Sequence, residues 1–329
     1  MDVPTWLWLT TVGLMAGLLA VDVFVIGRRP HEPSMRESAV AIAFYIALAV
    51  LFGAGVWLFA GGRYAGEYYA GWLTEYSLSI DNLFVFVIIM ARFAVPRHLQ
   101  QTALLIGIIL ALVMRGIFIA LGAAAIAEFS WVFYVFGAFL VYTAVKLAAQ
   151  GHAGSEDFTE PRLLRLVRSR LPATGDYHGV RLLTRVDGTR LITPMFIVIV
   201  ALGLTDLLFA LDSIPAIYGL TKEPYLVFAA NVFALMGLRQ LYFLIGGLLQ
   251  RLVYLSLGLS VVLGFIGVKL VLEALHTNEL SFVNGGQPIG VPTIPIWLSL
   301  ATILGTLAVT TAASLAKVRR DPAQAPSDG

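Results

Sequence analysis

No cysteine occurs in the 329 residues, so disulfides, thiolate metal sites and thiol nucleophiles are excluded. Charge is scarce too: 13% of residues are Asp, Glu, Lys or Arg, about half the share usual in soluble domains. The five histidines, His31, His98, His152, His178 and His276, fall in or beside polar connections, which leaves the apolar runs without imidazole ligands. The chain has no His-Glu-x-x-His, Gly-x-Ser-x-Gly, Walker lysine loop or Gly-x-Gly-Asp, so it does not read as an enzyme. Tyr177 is the one aromatic among its loop arginines, too little interleaving to suggest nucleic acid as a partner. What remains is apolar, at 59% hydrophobic residues and a mean hydropathy of +0.85, the composition of an all-α polytopic membrane protein.

Nine runs approach the roughly 20 residues that cross a bilayer: 6–26, 38–60, 68–90, 101–124, 131–149, 192–218, 225–247, 252–275 and 294–316. Basic residues collect in alternate connections. Arg28, Arg29 and Arg36 follow the first run, Arg92 and Arg97 the third, and seven arginines lie between the fifth and sixth. Arg251 follows the seventh, and Lys317, Arg319 and Arg320 follow the ninth. The other connections carry Arg63, Lys222 or nothing. The positive-inside rule therefore expects nine transmembrane helices in the inner (plasma) membrane, N-terminus outside and C-terminus cytoplasmic. The first run has no basic residues before it and reads as a retained helix, not a cleaved signal. A transmembrane domain is expected over 1–317, interrupted by a cytoplasmic loop at 150–191 and followed by a disordered tail at 318–329. Within the loop, Leu163, Leu164, Leu166 and Val167 among arginines suit either a short amphipathic helix on anionic lipid or a solvated linker.

The third run contains Glu75-Tyr76-Ser77-Leu78-Ser79-Ile80-Asp81-Asn82. A charge at mid-membrane costs at least a few kcal/mol, so these acids call for a reason. A helix places Glu75, Ser79 and Asn82 on one stripe and Asp81 about 100° from Asn82. The sixth run repeats the spacing with Asp206 and Asp212-Ser213, each pair 131 residues from its counterpart. Arg115 and Arg239 each open an aromatic-rich stretch, and Val-Lys-Leu recurs at Lys146 and Lys269. Spans three to five (about 68–149) and six to eight (about 192–275) thus form two units of three. An odd number of spans inserts the second copy upside down, a 3+3 inverted repeat of the kind transporters use. Pro215, three residues after Asp212, deprives the Leu211 carbonyl of its helical partner and frees an oxygen beside a carboxylate.

The chain resembles the TerC/Alx family of integral membrane proteins. The resemblance is carried by 75–82 running into Leu-Phe-Val-Phe, by Gly137-Ala138-Phe139-Leu140 and by Thr205 to Ala216 (Thr-Asp-Leu-Leu-Phe-Ala-Leu-Asp-Ser-Ile-Pro-Ala). Phe233 to Phe243 and Gly267-Val268-Lys269 complete it. It covers nearly the whole chain except the loop and the tail. Relatives are linked to tellurium resistance and, in the Alx-like branch, to manganese export. The resemblance implies that Glu75, Asp81, Asn82, Asp206, Asp212 and Ser213 line a metal path, with Asp22 of the first span as a further member. One departure stands out: many relatives carry a glutamate three residues before the position of Asp206, where this chain has Gly203.

Arg115, Arg239, Lys146 and Lys269 are the charge partners available to these acids, although both lysines lie near span ends, where they can snorkel. Carboxylate, amide and hydroxyl oxygens suit hard or borderline dications such as Mn²⁺, Mg²⁺ or Ca²⁺. The resemblance puts Mn²⁺ first among them, with Ca²⁺ second, and the expectation is export of the dication in exchange for protons. No bound cofactor is expected. The rival reading is a non-transporting membrane scaffold for a tellurite or metal stress-response complex, its partner proteins docking on the cytoplasmic loop.

Overall fold

The computed structural model describes residues 3–28, 34–129, 131–150, 174, 177, 179–186, 189–245, 254–278, 280 and 283–320. Among these, ten α-helices carry the fold: α1 (Thr5–Arg28), α2 (Met35–Ala60), α3 (Gly62–Arg92), α4 (Arg97–Glu128), α5 (Val132–Gln150), α6 (Pro194–Tyr218), α7 (Pro224–Leu235), α8 (Leu238–Ile245), α9 (Leu255–His276) and α10 (Ile296–Arg320). Eight helical segments, with α7 and α8 counted as one, are long and apolar enough to cross a membrane, and α1 adds a shorter apolar stretch over Thr5–Val21. The expected span pattern therefore reappears as helices. The amphipathic segment at 163–167 and the tail beyond 320 lie outside the described residues.

Helix starts follow local chemistry. Ser34 caps α2 in a capping box, its hydroxyl accepting from the Glu37 amide while the Glu37 carboxylate accepts from the Ser34 amide. Thr193 caps α6 by accepting from the Phe196 amide, with Pro194 at the first helical position.

Two features differ from the sequence expectation. The loop before α6 holds an antiparallel hairpin, β1 (Leu183–Val186) on β2 (Thr189–Ile192), with Leu183 opposite Ile192. Its signal was the Asp187-Gly188 dipeptide between two runs with β-branched residues, a strong hairpin cue. The seventh span, expected to be continuous, breaks at Met236–Gly237 into α7 and α8. Gly237 takes φ +85, a left-handed backbone that glycine alone adopts freely, and the Tyr45 ring of α2 packs where its Cβ would lie. The break is wholly buried, which suits a discontinuous helix held inside protein. By contrast, α6 runs through Pro215 to Tyr218.

The packing has a pattern. Helix α5 lies along α9 in the most extensive helix pair of the bundle, α3 packs on α7, and α4 packs on α6. Exchanging α3 with α6, α4 with α7 and α5 with α9 carries the second contact into the third and returns the first to itself. The α5–α9 contact is reciprocal in detail. A Cβ on Gly137 would meet Val271 and lie 2.9 Å from the Gly267 carbonyl oxygen, while one on Gly267 would meet Val141 and lie 3.0 Å from the Gly137 carbonyl oxygen. Lys146 and Lys269 do not share this relation and sit in unrelated surroundings, as described next.

Candidate functional site

On α4 the residues that turn inward are Ile108, Ala111, Arg115, Ile119 and Gly122, a three-to-four residue rhythm that sends Arg115 into the bundle. Its guanidinium is 1% exposed. On α3 the same rhythm buries Glu75, Ser79 and Asn82, and on α6 it buries Asp206, Ala210, Ser213 and Ile217. The three stripes converge.

Arg115 grips Asp206 with two bonds, Nε to Oδ2 at 3.1 Å and Nη2 to Oδ1 at 3.0 Å, the bidentate fork that guanidinium and carboxylate favour. Its Nη1 pairs with Glu75 Oε1, donates to Asn231 Oδ1 at 3.0 Å and reaches Ser213 Oγ at 3.4 Å. Ser79 donates to Glu75 Oε1 at 3.4 Å, and Asn231 is steadied by its amide donating to the Val227 carbonyl at 3.1 Å. Four helices thus meet on one cation. Glu75 is 0% exposed and Asp206 2% exposed. Two carboxylates against one guanidinium leave a surplus negative charge, and Glu75 Oε2 is buried without a hydrogen-bond partner.

Asp212 lies elsewhere. Six residues beyond Asp206, it faces another side of α6, half-buried, and accepts from Thr143 Oγ1 at 3.1 Å. It borders a cavity of about 220 Å³ with Asn82 of α3, Thr143 and Lys146 of α5, and Leu259 and Leu263 of α9. The two acidic helices therefore meet twice, once around Arg115 and once across this space. The side chains of Asp81 and Asp22 lie outside the described residues. Among the described residues no three His, Asp or Glu side chains gather as a ready metal site.

Gly203 is buried on α6, and a Cβ there would run into the Leu110 side chain of α4. Leucine fills the place where a glutamate of the resembling pattern would stand. Arg239 is buried at the start of α8.

A second cavity, of about 490 Å³, opens where α3 begins and α6 and α9 end. Glu67, Glu223 and Glu273 line it, and the buried one, Glu67, accepts from Arg63 Nε at 3.0 Å and from Thr221 Oγ1 at 2.7 Å. Lys222 donates to Glu273 at 2.5 Å and stands over the Phe133 ring, and Lys269 reaches Ser299 Oγ at 3.4 Å. Lys269 thus belongs to this mouth and Lys146 to the Asp212 cavity. Sequence reading missed Glu67, Thr143, Thr221 and Asn231. Neutral residues in apolar runs carry little signal, although Glu67, eight residues before Glu75, was visible as an acid at the edge of a span.

The profile of the Integral membrane protein TerC family matches residues 60–322. An uncharacterised membrane protein of Mycobacterium tuberculosis H37Rv is 48% identical over 315 residues, covering 95% of this chain and 79% of that one. An uncharacterised membrane protein of Myxococcus xanthus is 38% identical over 316 residues, covering 96% of this chain and 94% of its own. The Escherichia coli K12 protein named Alx, a suggested membrane-bound redox modulator, is 34% identical over 314 residues, 92% of each chain. No solved structure matches. With a family profile spanning most of its length and these relatives across nearly all of it, the chain belongs to the TerC family of integral membrane proteins.

Proposed function

We propose that this protein moves a divalent metal cation, Mn²⁺ first, across the plasma membrane in exchange for protons. The observation that carries the proposal is the cavity at Asp212. There a carboxylate without an arginine clamp and the amide of Asn82 border one space inside a bundle of spanning helices, with Lys146 on the same wall as the charge a metal would have to face. Oxygen donors of this kind suit a hard dication, and an aspartate kept inside a membrane protein without a guanidinium partner is a functional group by default. The family resemblance implies Asp81, the sequence neighbour of Asn82, as a further carboxylate of the path.

The packing exchange of α3, α4 and α5 with α6, α7 and α9 supports an inverted repeat, and the buried break between α7 and α8 supports a transporter architecture. The term attached to Alx, a redox modulator, meets a chemical limit here: without cysteine, thiol–disulfide exchange is closed to this chain, and a redox effect would act through the metal it moves.

Protein reconstituted in vesicles tests the proposal. Mn²⁺ flux should depend on an imposed pH gradient, and Asp212→Asn or Asp81→Asn should abolish it without loss of folded protein. Persistent flux in both variants removes these residues from the path, and absence of flux in the unaltered protein removes the function.

A further inference from the structure

We infer that Arg115 is a tethered stand-in for the transported cation: its guanidinium occupies a second dication site, made by Glu75, Asp206, Ser213 and Asn231, and leaves when metal enters. This inference rests on the transport reading and extends it to a second station.

Three observations support it. The first is the donor set. Five oxygens turn on the guanidinium: Glu75 Oε1, both carboxylate oxygens of Asp206, Asn231 Oδ1 and Ser213 Oγ. Carboxylate, amide carbonyl and hydroxyl are the ligand types of a hard dication, and three helices supply them. The second is charge. Two carboxylates against one guanidinium are undercompensated, and Glu75 Oε2 is buried with nothing to accept from. A dication neutralises both acids and gives that oxygen a partner. The third is the separateness of one ligand. Asn231 sits on α7, a twelve-residue helix cut from α8 by the turn at Gly237, so this ligand belongs to a short helical unit distinct from its continuation. Arg115 itself hangs from α4 on a flexible stem, and α4 offers the cluster no other charge.

A guanidinium held this way keeps α3, α6 and α7 together while no metal is bound. It also sets a threshold: metal must compete with a built-in cation, so the site fills only when the dication is abundant. A purely structural ion pair makes no such demand.

The test is equilibrium binding of Mn²⁺ to the purified full chain in detergent. Arg115→Gln removes the competitor and should tighten binding at this site at least tenfold. Asn231→Ala removes a metal ligand but keeps both ion pairs of Arg115, and should weaken binding at this site at least tenfold. Equal or weaker affinity in folded Arg115→Gln overturns the inference, as does unchanged affinity in Asn231→Ala. Should Arg115→Gln not fold, Asn231→Ala decides alone. The Asp212 site is separated by repeating each measurement in an Asp212→Asn background, where only the Arg115 site is left to respond. If the unaltered protein and every variant fail to bind Mn²⁺, the dication reading falls with the inference; if the unaltered protein binds and the two variants do not differ from it, only the inference falls.

Discussion

Two polar sites lie along the same helices, α3 and α6, yet they handle charge in opposite ways. Around Arg115 the two acids are sealed, share one guanidinium and are shut off from space; at Asp212 the acid has one hydroxyl donor and borders a cavity that Lys146 also lines. The cause is helical phase. Asp206 and Asp212 are six residues apart, and at about 100° per residue the second side chain emerges well round the helix from the first. A single helix therefore feeds a closed knot and an open pocket. The contrast gives the transport proposal its form: on that reading the closed site would exchange its cation only by displacement, while the open site already borders space for an ion.

The sharpest way to break the contrast is to remove the cation from the closed site. Arg115→Met leaves two buried carboxylates facing each other, and removing one partner of a buried ion pair costs about 3–5 kcal/mol. Thermal unfolding in detergent should show a large fall, whereas Asp212→Asn should shift stability by less than about 1 kcal/mol. If the two variants melt alike, the sites do not differ in the manner described.

A smaller effect is expected where the walls of the open site are joined. Thr143, Lys146 and Leu147 on α5 face Leu259 and Leu263 on α9 across the cavity, and the same two helices touch at Gly137 and Gly267. Overpacking such a contact costs about 1–3 kcal/mol, so Gly137→Ala should destabilise by that amount. Because the approach is mutual, Gly267→Ala should cost the same, and the double variant less than the sum of the two. Unequal single effects would falsify the two-fold relation between α5 and α9.

How much of this was legible beforehand follows from what sequence encodes. The spans, the acids and Arg115 were plain, since a charge in an apolar run is a loud signal: eight spanning segments and the buried Glu75, Asp206 and Arg115 are where hydropathy placed them. The division of labour was not. Spacing put Asp206 and Asp212 in one motif, but which face of α6 meets Arg115 depends on how α4 packs, which no local pattern states. Asn231 and Thr143 were invisible for another reason: a neutral polar residue in a span is common and gains meaning only from what lies opposite. The break at Gly237 was hidden too, because glycine occurs freely within spanning helices and only the seating of Tyr45 and the turn of the chain single this one out. Pro215, by contrast, does not end its helix, for α6 continues past it to Tyr218.

The smallest effect belongs to the single hydroxyl that holds Asp212. Thr143→Val keeps the shape of the side chain and removes one donor, and a net hydrogen bond is worth about 1 kcal/mol. Because Asp212 borders a cavity, water can take the place of the lost donor, which should keep the penalty at or below that figure. Metal flux in vesicles should fall only a few-fold, since the carboxylate remains and only its orientation loosens. Complete loss of flux in a stable Thr143→Val protein would mean that Thr143 is itself a ligand and not a support. Asp212 would then be part of a second clamped group, and the line between closed and open sites would have to be redrawn.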